Sequence, residues 1–202
     1  MVEPGTPTHD LSTLLRRELD DAVIDDLTRL SGGASRETWR FRADDVDLVI
    51  QRQRAGDERD MAVEADVVRA AGAAGVPAPR LISSGLDPSG TTAHMILEAV
   101  DGETIARRIQ RDDEFAEARR VLTAQLGEAL ARVHQIDPAT VSGLDAPDQI
   151  ERYTEVLDAV SDSQPVLELV RRWLIRHRPP PTRQHVVHGD FRLGNVIVGP
   201  EG

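Results

Sequence analysis

Asp190 and Asn195 stand five residues apart in the run His188-Gly189-Asp190-Phe191-Arg192-Leu193-Gly194-Asn195. A carboxylate and a carboxamide on one short loop suit phosphoryl transfer from ATP. The Asp orients an attacking hydroxyl and accepts its proton, and the Asn oxygen holds a magnesium ion beside the phosphates. Such a site asks little covalent chemistry of the protein; it asks for position, metal and charge neutralisation. Gly189 and Gly194 permit tight backbone turns around the two side chains. The plain alternative is a polar turn in which both bond only to local backbone. His188-Gly189 in front, and the apolar runs His185-Val186-Val187 and Asn195-Val196-Ile197-Val198, which read as strands on either side, favour the site. His188, at a strand end, suits bracing the loop by hydrogen bonding better than acting as a general base.

Phosphate chemistry also needs cationic and backbone partners, and these must come from elsewhere in the chain. All 24 basic residues are Arg, so no lysine can touch a phosphate. Ser31-Gly32-Gly33-Ala34-Ser35 lies between two expected strands, where backbone N–H groups of Gly32, Gly33 and Ser35 could cover ATP phosphates. Alone, Gly-Gly between strands is most often a hairpin. The next strand, Leu48-Val49-Ile50-Gln51-Arg52, stands where a kinase carries its phosphate-binding basic residue. Successive side chains point to opposite faces, so either Gln51 or Arg52 enters the cleft, not both. Arg52 is the favoured candidate, because an Arg can pair with phosphate oxygens bidentately. Glu64, in the following helix, could orient that residue through an ion pair; a solvated helix Glu is the bland alternative. Glu98-Ala99-Val100 ends the last strand, where backbone groups of Glu98 and Val100 could bond an adenine.

The elements that position these residues follow from periodicity. Helix spacing of Leu11, Leu14, Leu15 and Leu19 predicts a helix over 8–20. Strands are expected at Val23–Leu30, Glu37–Arg42 with Trp39 and Phe41 on one face, Leu48–Ile50, Arg80–Ser84 and Thr92–Val100. A helix at Glu58–Ala74 stops at Gly75-Val76-Pro77-Ala78-Pro79. After the break at Asp101-Gly102-Glu103-Thr104 the pattern turns helical to about Ile136, then again over Gln149–Val160 and Pro165–His177. Pro179-Pro180-Pro181 leads into the motif loop as an extended linker. The fold class is α+β. Residues 1–100 are expected to form an N-terminal nucleotide-binding lobe, with helix 8–20, an antiparallel sheet and helix 58–74. Residues 101–202 form a partial helical C-terminal lobe that ends just after the catalytic loop.

Composition excludes several classes. Hydrophobic residues are 40% and charged residues 29%, as in ordinary globular proteins. Without cysteine there is no disulfide and no thiolate metal site. A net charge of −11 argues against a nucleic-acid partner and is compatible with a cationic substrate. No apolar stretch is long enough to span a bilayer, and the N-terminus shows no signal-peptide pattern. The expectation is a cytoplasmic protein with no membrane partner.

These residues together resemble the aminoglycoside phosphotransferase and choline-kinase-like family, small-molecule kinases with a protein-kinase-like fold. The resemblance is carried by Leu30-Ser31-Gly32-Gly33-Ala34-Ser35, Val49-Ile50, Glu64, Gly75–Pro79, Leu97-Glu98, Asp101–Thr104 and above all His188-Gly189-Asp190 with Asn195. The stretch Leu97–Thr104 is also similar to the branch of kinase domains associated with acyl-CoA dehydrogenases. The resemblance implies an ATP- and Mg2+-dependent kinase acting on a hydroxyl of a small molecule. Asp190 is then the base, Asn195 a magnesium ligand, and Gly32, Gly33, Ser35, Arg52 (or Gln51), Glu64, Glu98 and Val100 the nucleotide site. The family usually carries Lys or Arg at this strand position, for which Gln51 and Arg52 are the two candidates here. It also has an acidic metal ligand shortly after the catalytic loop, and none occurs before Gly202. A non-catalytic module that binds nucleotide or a partner protein is therefore the alternative. A protein kinase is disfavoured, because the loop reads His-Gly-Asp rather than His-Arg-Asp.

Overall fold

The computed structural model describes residues 7–30, 36–54, 56–57, 60–160, 162, 164–180 and 183–202. The elements are α1 (Pro7–Glu18), β1 (Ile24–Arg29), β2 (Arg36–Ala43), β3 (Val46–Gln53), α2 (Met61–Ala73), β4 (Leu81–Leu86), β5 (Ala93–Glu98), α3 (Ala106–Arg111), α4 (Ala116–Gln135), α5 (Gln149–Asp158) and α6 (Pro165–Arg176). The five strands form one antiparallel sheet in the order β1-β2-β3-β5-β4. The chain divides into two compact units, residues 1–142 with 185–202, and residues 143–184. The lobe boundary expected at 100/101 falls inside the first of these.

Strand alternation gives the sheet two apolar faces. On one, Phe41, Leu48, Ile50 and Ile96 pack against Leu11, Leu14 and Leu15 of α1, all eight of this cluster's buried residues coming from α1, β2, β3 and β5. On the other, Met95 and Leu97 of β5 pack against Met61 and Val68 of α2. Asp60 caps α2, its carboxylate accepting from Ala62 N at 2.9 Å. The sheet is thus sandwiched between two helices, and each strand residue is committed to one of them by parity.

His94 is the one buried polar side chain of this core among the described residues, at 1% exposure. It faces α1, with Glu18 Oε2 3.6 Å from its Nε2 and no hydrogen-bond partner at either ring nitrogen. Arg52 is its cross-strand neighbour on β3. Burial pushes the imidazole below its ordinary 6.5, Glu18 opposes this, and Arg17 and Arg52 add to the depression. Burial works against the Glu18 carboxylate too, but the Ser83 hydroxyl and Arg17 hold it below its usual value.

The helical part is organised around α4. The expected helical stretch from Thr104 is broken at Asp112, whose extended backbone separates α3 from a short 3-10 turn and α4. Near the start of α4, Ala118 packs with Ile109, Phe115 and Val198. Near its end, Val133 packs with Ile136, Val186 and Ala71 of α2. Val186 and Val198 flank the motif loop, so both ends of that loop are seated on one helix.

The runs beside the loop are not the strands expected from their residues. Residues 185–187 are unpaired by ladder bonds, and Val198 makes one isolated bridge with Glu103, through N–H···O bonds of 2.9 and 3.0 Å. Val186 is buried in one cluster and Val198, with Val196 packed beside it, in another, while Val187 and Ile197 are exposed. Gly102 explains the close approach at Val198. A Cβ there would lie 2.6 Å from Ile197 Cγ2 and 2.9 Å from the Val198 carbonyl oxygen.

In the second unit, Asp148 caps α5 by accepting from Ile150 N and Glu151 N. Pro165 opens α6. The two helices line a groove of about 600 Å³, and neither has a buried residue.

Replacing Gly102 with Val should lower stability by about 1–3 kcal/mol through overpacking against Val198. Chemical denaturation of the full-length polypeptide checks this, and an unchanged midpoint would contradict the close approach. Between the ordinary 6.5 and the depressed His94 value, the unfolded chain takes up a proton that the folded chain refuses. Stability is therefore full above that ordinary value and falls on acidification, at no more than about 1.4 kcal/mol per pH unit from this residue. His94→Leu should remove this component from denaturation curves taken between about pH 7 and pH 5.5.

Candidate active site

The motif loop begins at buried Val186, and His185 Nδ1 lies 2.9 Å from the His134 carbonyl oxygen of α4. Gly189 takes φ +80°, a left-handed conformation that brings Asp190 out of line with the preceding chain. A 3-10 turn at Leu193–Asn195 then folds the chain back. Its result is that Asn195 reaches Asp190. The Asn195 Nδ2 donates to the Asp190 carbonyl oxygen and to its Oδ2, both at 2.8 Å. With the nitrogen spent on Asp190, the carboxamide oxygen is the atom left to face a cation.

The Asp190 carboxylate is 63% exposed, so it is open to an incoming group. Arg192 Nε donates to both of its oxygens, at 3.0 and 3.1 Å. Those bonds, and then the one from Asn195, hold the carboxyl below its ordinary value. His188 meets Phe191 edge-on, ring centroids 5.3 Å apart. It braces the loop by ring packing, where hydrogen bonding was expected.

The sheet residues sort by face. Arg52 lies on the α1 side, alternating in parity with Gln51; it is a 3.8 Å neighbour of Glu37 and sits in register with His94. Arg52, favoured from sequence to enter the cleft, lies on the α1 face, since Leu48 and Ile50 face α1 and Arg52 continues their row. Gln51 takes the α2 side, and its Oε1 accepts from Arg36 Nη1 at 3.1 Å. Glu64 of α2 is in an ion pair, but its partner is Arg36 rather than a β3 residue. Arg36 was not among the sequence candidates. Its signal was available in the strand parity that sets Arg36, Thr38 and Arg40 on one face of β2.

Glu98 closes β5, its N–H donating to the Arg80 carbonyl, and Ala99 N donates to the Asp47 carbonyl. Val100 is exposed and makes no backbone hydrogen bond among the described residues. Gly32, Gly33 and Ser35 lie outside the described residues. The structure thus brings together Asp190 with Asn195, and Arg36 with Gln51 and Glu64. No hydrogen bond or ion pair joins these two sets among the described residues.

The residues fit a nucleotide at one definite point. Arg36 Nε is buried and has no hydrogen-bond partner, a donor that a phosphate oxygen would satisfy. They fit magnesium as a partial set. No group of three or more His, Cys, Asp or Glu suited to a metal occurs among the described residues. Asn195 supplies one oxygen, as suits an ion whose remaining ligands are phosphate oxygens and water.

Comparison with known proteins extends this picture. The profile of the phosphotransferase enzyme family matches residues 26–202. Acyl-CoA dehydrogenase family member 10 of Mus musculus is 28% identical over 195 residues, covering 87% of this chain and 18% of that protein. Acyl-CoA dehydrogenase family member 11 of Rattus norvegicus is 29% identical over 136 residues, covering 62% and 17%. The chain spans less than a fifth of these relatives' length. Among solved structures, a Ralstonia eutropha JMP134 chain provisionally named an aminoglycoside phosphotransferase superposes with TM-score 0.69 at 20% identity, over 96% of this chain and 61% of that one. An aminoglycoside-3'-phosphotransferase of type VIII gives 0.58 at 21% identity, over 95% and 73%. These likenesses identify the fold as α+β and protein-kinase-like, with a sheet-rich and a helical part. With the family profile covering all but the first 25 residues and the Asp–Asn loop intact within it, the chain belongs to the phosphotransferase enzyme family.

Proposed function

We propose that this chain belongs to an ATP-dependent kinase that phosphorylates a hydroxyl group of a small molecule. The observation that carries the proposal is the Asn195 amide bonded to the Asp190 backbone and carboxylate, with the carboxylate open to solvent. In the reaction, the substrate oxygen bonds to the γ-phosphorus as the bond from that phosphorus to the bridging oxygen breaks. ADP leaves, and the hydroxyl proton passes to Asp190. When bound, Mg2+ neutralises charge on the phosphates, and Asn195 Oδ1 would be one of its ligands. Asp190 aligns the hydroxyl, and Arg192 keeps its carboxylate ionised. A lowered pKa makes Asp190 a weak base. That suits a loose transition state, in which the hydroxyl proton leaves late and alignment counts for more than basicity.

The nucleotide would lie along the α2 side of β2 and β3, with its adenine at the backbone of Glu98 and Val100. Gly32, Gly33 and Ser35 would cover its phosphates. The acceptor is a hydroxylated small molecule, and the excess of negative charge favours a cationic one. The proposal includes a cytoplasmic location, where ATP is at hand. Among the described residues no helix is long and apolar enough to cross a membrane.

One observation favours a second reading, a nucleotide-binding module without turnover: the β3 residue on the α2 side is the neutral Gln51. Calorimetry separates the two. Magnesium-independent ATP binding with no ADP release from any hydroxylated acceptor supports the module.

Asp190→Asn should reduce turnover of the full-length enzyme by about 10²–10⁴-fold while leaving ATP affinity within a factor of about three. ADP release against a panel of hydroxylated compounds measures the first, and calorimetry the second. Retained turnover would reject Asp190 as the proton acceptor.

A further inference from the structure

In protein kinases the strand-three lysine contacts the α- and β-phosphates and is held by a glutamate of the following helix. Here the helix glutamate is present as Glu64 of α2, but the strand-three side chain on its face is Gln51. The chain contains no lysine at all. The position that normally carries the positive charge is therefore neutral, while its carboxylate partner remains.

That carboxylate is not left alone. Arg36, from the neighbouring strand β2, places one Nη on Glu64 and the other on Gln51 Oε1, the latter at 3.1 Å. Its side chain is 14% exposed. Gln51 thus acts as an acceptor that steadies the guanidinium, where a basic residue would have repelled it. The arrangement is coherent: the β3 side chain on this face is neutral, and the cation paired with the helix glutamate comes from β2.

The remaining donor points to a ligand. Arg36 Nε is buried and unbonded, although both Nη groups have protein partners. An unmade bond to a buried guanidinium nitrogen costs stability unless something completes it. Arg52 Nε is likewise buried and unbonded, but that side chain lies beneath α1 with His94 and Glu37. The other β2 arginines on the Arg36 face are already claimed. Arg40 binds Asp47 and Asp101 at 2.9 and 2.7 Å, and Arg42 binds Asp47 at 3.3 Å.

Resting on the phosphotransferase reading above, we infer that Arg36 of β2 is the cation that binds the nucleotide's phosphates, with Gln51 and Glu64 as its positioning residues. The ligand class is a nucleoside di- or triphosphate. Adenosine, lacking phosphates, gains nothing from Arg36.

The test is calorimetric titration of the full-length polypeptide with ATP, ADP and adenosine, with thermal melts as the folding control. Arg36→Gln should weaken ATP and ADP by about tenfold or more, the worth of a charge-assisted hydrogen bond, and leave adenosine unchanged. The double variant Arg36→Gln with Gln51→Arg returns the charge to β3 and should recover ATP affinity to within a few-fold. If Arg36→Gln melts early, the double variant, with the Glu64 partner restored, still carries the test. ATP affinity unchanged in Arg36→Gln, equal losses for ATP and adenosine, or a folded double variant without recovery would each overturn the assignment of Arg36. Absence of ATP binding by the wild type would reject the phosphotransferase reading itself.

Discussion

Asn195 spends its amide nitrogen on Asp190, and the loop around them is built to let it do so. The two bonds, to the carbonyl and to the carboxylate, join residues five apart into one unit and set which end of the carboxamide faces outward. A carboxamide free to flip would offer an oxygen or an N–H with similar ease. One pinned by two acceptors offers only the oxygen. The pin works because the loop ends cannot drift. Val186 is buried against the C-terminal end of α4 and Val198 against its N-terminal end, so one helix measures the span of the site. Gly102 admits the second anchor, and the Glu103–Val198 bridge closes it. Apolar burial therefore supplies the positional accuracy, and the polar bonds convert it into chemical polarity.

The same economy governs charge. The β3 side chain facing α2 is uncharged, yet the α2 glutamate is paired, because an arginine of the next strand reaches across. Antiparallel pairing makes such an exchange possible without moving any element. Side chains of one parity on adjacent strands share a face, and long arginines reach diagonal neighbours.

Much of this was legible beforehand, for identifiable reasons. Helix periodicity located α1 through Leu11, Leu14 and Leu15, and alternation put Trp39 and Phe41 on one face of β2. The Asp190–Asn195 spacing implied a pair, and the two side chains do meet. Other features depend on tertiary contacts that no local pattern encodes. Val186-Val187 and Val196–Val198 look like strands because an extended chain that buries alternate residues and a ladder strand use the same residues, and only the presence of a partner distinguishes them. The choice between Gln51 and Arg52 turned on parity. It could have been settled by extending the Leu48, Ile50 row of the α1 face to Arg52. Arg192, the residue bonded to the Asp190 carboxylate, sat inside the motif and went unassigned because its direction depends on the turn that follows.

The orientation of the Asn195 carboxamide is the claim on which the site's chemistry rests, and a crystal structure of the full-length protein with Mg2+ and a non-hydrolysable ATP analogue tests it most directly. The account predicts Asn195 Oδ1 as a metal ligand at about 2.1 Å, with Nδ2 still donating to the Asp190 carbonyl. A metal bound away from Asn195, or a carboxamide turned so that its nitrogen faces the nucleotide, would contradict it.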